Sequence, residues 1–297
     1  MLRVNEELRK YDLIPNKYTN YKNVTIVDTD KGKFVFKKKT LNNIYEYLNA
    51  RSFNYYPKIL SDNNDEYVIT EYLEDKFMPE EQKMDDMIDL VSLLHNKTTY
   101  YKEVSEDEYK EIYEDISNNI EYLFSYYNDI MTIIESKIYM SPPEYELAIN
   151  ISKIYESLSY SHKTLEDWYK KVKDKRKKRL VVLHNNLRLE HFIKNDTPYL
   201  ISWDKAKIDM PIFDLYKLYK NSNESFDFRE LLKRYEHNYP LSKDEKELLF
   251  ILLSLPDKLE FDDNNLNMCI KISKMFNLME RVKLLVLPDN LKDTKKN

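Results

Sequence analysis

The sequence predicts an α+β protein in two parts: a small β-rich amino-terminal part over residues 1–74 and a larger, mostly helical part over residues 75–297. Three observations carry this. Strand-forming runs crowd into the first part. From about Pro79 onward, apolar residues recur at helical spacing. Two short apolar runs, Leu180–Leu183 and Tyr199–Trp203, then interrupt the helical pattern late in the chain.

Val24-Thr25-Ile26-Val27 is a β-branched run, Asp30-Lys31-Gly32-Lys33 reads as a turn, and Phe34-Val35-Phe36-Lys37 completes a hairpin. Leu41, Ile44, Tyr45 and Leu48 predict a helix over Leu41–Arg51, stopped by Pro57. Strands are expected at Lys58–Leu60 and Tyr67–Tyr72. Met84, Met87, Ile88, Val91, Leu94 and His95 share one helix face, ending before Lys97-Thr98-Thr99. Ser105-Glu106-Asp107-Glu108 reads as a capping box opening a helix to Ser136, and Pro142-Pro143 starts a third that continues to about Lys178. After the two late strands, helices fit Pro211–Lys220, Asp227–His237, Lys243–Leu253 and Leu266–Val286.

Composition removes several function classes. The formal net charge of −5 provides no global field toward nucleic acid or anionic membrane. The single glycine, Gly32, excludes every phosphate cradle built from a glycine-rich loop. Where the backbone needs positive φ, Asn or Asp is expected to supply it. The lone Cys269 rules out an intrachain disulfide and a thiolate zinc site. The charged start Met1-Leu-Arg-Val-Asn-Glu-Glu predicts no secretory leader, and the longest apolar run, Leu248–Leu255, is far short of the roughly 20 residues that span a bilayer. A cytoplasmic location is the expectation. The basic run from Lys170 to Arg179 reads as a solvated helix end, cations favouring the negative pole of the helix dipole, with an acidic or nucleic-acid partner as the alternative. The 26 tyrosines are spread along helices at packing positions, which argues against a base-stacking platform.

One stretch carries chemistry. His184-Asn185-Asn186-Leu187-Arg188-Leu189-Glu190-His191 joins the late strands, followed by Ile201-Ser202-Trp203-Asp204 and then Pro211-Ile212-Phe213-Asp214-Leu215. This resembles the aminoglycoside phosphotransferases and choline kinases. Tyr235, Tyr239-Pro240-Leu241-Ser242-Lys243-Asp244-Glu245 and Leu252-Leu253-Ser254-Leu255-Pro256-Asp257-Lys258 are similar to the spore coat protein S group of that superfamily. The resemblance implies a bilobal, protein-kinase-like fold with a small β-rich lobe and a large helical lobe. It also implies structural roles for His184 and Asp214 around the loop, a phosphate-contacting Lys37 that Glu46 could partner, and a hinge at Glu71-Tyr72-Leu73. Without the resemblance, Lys37 reads as a solvated lysine on an edge strand, and the two histidines as satisfied structural groups.

The departures from the family pattern are chemical. The family's catalytic Asp falls on Asn186, whose amide cannot act as a general base, a role worth about 10²–10⁴ in rate. The metal-binding Asn and Asp fall on His191 and Ser202, and Mg²⁺ prefers hard oxygen ligands. If Ser202-Trp203-Asp204 is a strand, Asp204 shares a face with Ser202 and could hold a metal instead. No intact catalytic set is therefore expected. The sequence reads as a pseudokinase that binds a protein partner or small molecule in its interlobe cleft, with no nucleic-acid or membrane partner, and with a spore-associated scaffold role. The alternative is an active ATP- and Mg²⁺-dependent phosphotransferase acting on a hydroxyl, with Asp204 and Glu190 or Asp209 replacing the lost ligands.

Overall fold

The structure, a computed structural model, describes residues 2–21, 24–38, 44–61, 66–222, 226–261 and 264–286. In chain order its elements are α1 (Leu2–Lys10), β1 (Pro15–Tyr21), β2 (Val24–Thr29), β3 (Gly32–Lys38), α2 (Ile44–Ala50), β4 (Tyr67–Glu71) and α3 (Glu80–Thr98). They continue with β5 (Tyr100–Glu103), α4 (Glu106–Glu135), α5 (Pro142–Val172), β6 (Lys177–Leu183), β7 (Phe192–Lys194), β8 (Pro198–Leu200) and β9 (Lys207–Asp209). The last are α6 (Ile212–Ser222), α7 (Phe228–Asn238), α8 (Lys243–Ser254) and α9 (Asn265–Val286). The expected antiparallel amino-terminal sheet and mostly helical remainder are both present. Among the described residues no helix is long and apolar enough to cross a membrane. The chain forms two compact units. One joins Met1–Thr99, Val181–Asp209 and Lys233–Tyr239; the other joins Tyr100–Leu180, Met210–Leu232 and Pro240–Asn297.

In the first unit, β1 to β4 form an antiparallel sheet in sequence order. The β2–β3 turn closes on Thr29 opposite Gly32, where φ is +123°, a conformation that costs a side-chain-bearing residue strain. The Thr29 hydroxyl donates to the Gly32 carbonyl at 2.7 Å and locks the turn. Along β3 the side chains alternate. Phe34 and Phe36 are buried in a core with Val27 and Ile69, and Val4, Leu8 and Leu13 close it. The helix α1 and strand β1 that help complete this layer were not expected. Near α2, Leu41 lies outside the described residues, and the helix ends at Ala50, with Ser52 in the left-handed region at φ 56°. The expected strand at Lys58–Leu60 contributes only one bridge, Ile59 opposite Thr70. Helix α3 runs two residues further than expected, to Thr98, whose buried hydroxyl accepts the Val182 amide at 3.0 Å and donates to the Leu94 carbonyl at 2.7 Å. Among the described non-glycine residues, positive φ falls on Asp12, Ser52, Asn185 and Ser202, so serine shares the task expected of Asn and Asp.

In the second unit, α5 packs against α4, α8 and α9, and the Trp168 indole N–H donates to the Asp244 carbonyl at 3.1 Å. Two helix starts are boxed. Glu144 accepts the Ser141 amide at 2.8 Å, and Glu245 accepts the Ser242 amide at 2.9 Å. The box expected at Ser105 does not form, because the Glu108 carboxylate reaches Lys102 and Lys178 instead. The basic run also differs from expectation. Helix α5 stops at Val172, and Lys177–Leu180 pair with Glu103–Tyr100 as strand. Four of the run's cations pair with carboxylates of the same unit: Lys171 with Glu247 at 2.6 Å, Lys175 with Asp244 at 2.7 Å, Lys178 with Glu108 at 3.2 Å, and Arg179 with Glu245 at 2.9 Å.

These pairs set an acid limit on stability. Burial works to raise the Glu108 carboxyl, but the hydrogen bonds from Lys178 and Lys102 outweigh it and hold it below its ordinary value. Glu144 is held low by Lys137 and by the Ser141 amide. A carboxyl depressed in the folded state contributes stability above its unfolded value and loses it as pH falls through the folded value. The melting temperature is therefore expected to fall as pH drops below the ordinary value of 4.5. Glu144→Gln should flatten that fall in a pH series of thermal melts; a variant curve parallel to wild type would contradict the assignment.

Candidate ligand-binding site

The β3 alternation that buries Phe34 and Phe36 turns Val35 and Lys37 to the opposite face of the sheet. There they line a cavity of about 660 Å³ within the first unit. Register extends this wall. Val24, Lys37 and Val68 stand opposite one another across three strands, as do Ile26, Val35 and Thr70, and all six line the cavity. A slip of one residue would put the phenylalanines there instead. Ile44, Tyr45 and Glu46 from α2, the segment Glu71-Tyr72-Leu73, and two late loops contribute the rest.

The late loops are held by their own hydrogen bonds. Ser202 adopts φ 66° and ψ 51°, and Trp203–Lys205 form a single 3₁₀ turn. The strand expected over Tyr199–Trp203 therefore ends at Leu200, and Asp204 does not share a strand face with Ser202. Trp203 is buried beneath the turn. Its indole N–H donates to the Leu200 carbonyl at 2.8 Å, and its ring meets His184 edge-on at 4.8 Å and Phe53 at 6.1 Å. His184, also buried, donates from Nε2 to the Ile201 carbonyl at 2.8 Å. In the preceding loop Asn185 sits at φ 61°, its amide donating to the Lys205 carbonyl at 2.7 Å. His191 donates from Nδ1 to the Asn186 carbonyl at 2.8 Å, while the His191 carbonyl accepts the Ile201 amide at 2.9 Å. Both histidines thus brace backbone.

The turn aims Asp204 at Lys37, and the two form an ion pair with side chains 28% and 30% exposed. Lys37 takes this partner rather than Glu46, which lines the same cavity. Beside the pair, burial holds the Tyr45 hydroxyl well above its ordinary range, and the Asp204 charge adds to the effect. Tyr45 therefore stays a neutral donor. Sequence reading placed Tyr45 in the apolar stripe of its helix; no local signal marks it as a cavity group.

Of the residues singled out from sequence, Lys37, Glu46, Glu71, Tyr72, Leu73, Asn186, His191, Ser202 and Asp204 all line this cavity. At the hinge segment, the Glu71 amide donates to the Lys58 carbonyl at 3.0 Å and the Tyr72 amide to the Lys33 carbonyl at 2.9 Å. His184 lies behind the wall. Asp214 belongs to the second unit, buried in the first turn of α6. Glu190 also lines the cavity, 3.6 Å from Arg188, and Asp209 pairs with Lys207 at 2.6 Å. Mg²⁺, which the resemblance implies, demands oxygen ligands in near-octahedral array. Here the corresponding groups are an imidazole braced to backbone, a serine hydroxyl, and a carboxylate already engaged by Lys37. This donor set does not fit Mg²⁺. Among the described residues no group of three or more His, Cys, Asp or Glu side chains is arranged to hold a metal.

No family model and no curated protein sequence matches the chain. Solved structures do. An aminoglycoside phosphotransferase from Alicyclobacillus acidocaldarius superposes with TM-score 0.71 at 11% identity, over 97% of this chain and 94% of that one. AMP-bound spectinomycin phosphotransferase gives 0.58 at 12% identity over 96% and 99%. A choline kinase from Streptococcus pneumoniae gives 0.49 at 16% identity over 92% and 97%. The chain has the kinase-like fold of the aminoglycoside phosphotransferases.

The loop geometry separates structural groups from an orphaned one. Trp203→Ala should destabilise by about 3–5 kcal/mol, since a large buried ring is lost. Asp214→Ala should cost about 1–3 kcal/mol by stripping a buried polar partner. Asn186→Ala, whose side chain lines open space, should stay within about 0.5 kcal/mol of wild type. Urea titrations measure all three, and a large effect at Asn186 would contradict the assignment.

Proposed function

We propose that this protein is a catalytically impaired member of the phosphotransferase fold that binds a nucleotide-type ligand in its cavity and acts as a binding or scaffold protein. The observation that carries the reading is the Lys37–Asp204 pair. It engages the carboxylate that could have replaced the missing metal ligands. Asn186 supports the same reading, because an amide cannot take the proton of a substrate hydroxyl. Phosphoryl transfer depends on positioning and on metal-neutralised charge, and this cavity is poor in both means.

The nucleotide class is suggested by the AMP that spectinomycin phosphotransferase binds in the same fold, and by the apolar wall of Val24, Ile26, Val35 and Val68, which suits a flat base. The scaffold role draws on the resemblance of the Tyr235–Lys258 region to spore coat proteins. A protein or small-molecule partner is preferred to nucleic acid because four cations of the strongest basic run, Lys171, Lys175, Lys178 and Arg179, are engaged by carboxylates of their own unit.

Calorimetric titration with ATP in EDTA and then in Mg²⁺ tests the reading. Mg²⁺ should change affinity by less than about threefold, a difference well under the 1.4 kcal/mol of a tenfold change, and no ADP should form with hydroxyl acceptors. Strong Mg²⁺-dependent tightening with turnover would establish an active phosphotransferase instead.

A further inference from the structure

We infer that the cavity selects the uncharged nucleoside over its phosphorylated forms, with Asp204 serving as a built-in anion on Lys37. The inference deepens the reading above and rests on it. Among the described lining residues, four carboxylates (Glu46, Glu71, Glu190 and Asp204) balance four cations, so the cavity offers no net positive charge. Lys37 stands on the sheet wall opposite Val24 and Val68, and its ammonium is held by Asp204.

A phosphate reaching Lys37 must either displace that carboxylate or lie beside it. The pair is about 70% withdrawn from solvent, where water screens like charges less than at an open surface. Displacement leaves Asp204 without its partner beside the half-buried Tyr45, and coexistence sets two anions against each other. Without a fitting metal site, a triphosphate meets only Lys38, Arg188 and Lys205 beyond the engaged Lys37, and Glu46, Glu71 and Glu190 line the same cavity. An uncharged nucleoside meets neither cost. Its base fits the aliphatic wall, and Thr70, Ser202 and Tyr45 present neutral hydroxyl groups suited to ribose.

Calorimetric titration of the full chain with adenosine, AMP and ATP, in EDTA at about 0.15 M salt, tests this directly. Wild type should bind adenosine at least as tightly as ATP, with AMP between them. Asp204→Asn keeps the shape and removes the charge. It should tighten ATP by about tenfold or more and leave adenosine within about twofold. Wild type preferring ATP, or an unchanged ranking in Asp204→Asn, overturns the selection while leaving the nucleotide reading intact. Binding of none of the three probes removes both. If Asp204→Asn fails to fold, the wild-type ranking decides alone.

Discussion

Lys37 and Asp204 lie far apart in sequence, and three separate constraints bring them together. The period of β3 sends Phe34 and Phe36 to one face and Lys37 to the other, so burial of the rings fixes the direction of the lysine. The buried Trp203, clamped by Leu200, His184 and Phe53, fixes the 3₁₀ turn that carries Asp204. Positive φ at Ser202 lets the chain leave β8 sharply enough to make that turn. The ion pair then ties the sheet to the loop from inside the cavity. Hydrophobic burial supplies the frame, and electrostatics sets what the frame contains.

That arrangement differs from a phosphoryl-transfer centre in a simple way. Such centres keep a lysine for phosphate and carboxylates for metal, as separate charges awaiting a ligand. Here one carboxylate and the lysine neutralise each other. Asn186, His191 and Ser202 then have backbone to brace or cavity to line; Asn186 and Ser202 supply no base, and none of the three is a hard anionic ligand. Within this fold the two histidines brace backbone, while the Lys37 and Asp204 charges are matched to each other.

Much of the fold was legible because burial imposes period. Helices α8 and α9 begin and end within about one residue of their expected bounds, a margin ordinary for helix-end assignment. What escaped has physical reasons. Strand β1, Pro-Asn-Lys-Tyr-Thr-Asn-Tyr, is almost wholly exposed, so backbone pairing with β2 makes it a strand and no apolar alternation reveals it. Strand β5 is likewise polar and held by β6. Lys177–Arg179 were read as helix because their charges suit a helix end, whereas ladder pairing and distant carboxylates decide the outcome. The site was legible as a set of residue types: ten of the residues chosen from sequence line one cavity. Its wiring was not. Asp204 was read on a strand, and only the left-handed Ser202 turns it toward Lys37. Tyr45 was hidden by its helical periodicity.

The account depends on the Lys37–Asp204 pair being an energetic contact and not merely a proximity. A double-mutant cycle measures that most directly, using Lys37→Met, Asp204→Asn and the combined variant in chemical denaturation. The account predicts a coupling of at least about 1 kcal/mol, above the usual range for exposed pairs, because both side chains are mostly withdrawn from water. It also predicts that the coupling persists in high salt. Additive single effects, with a coupling near zero, would contradict it.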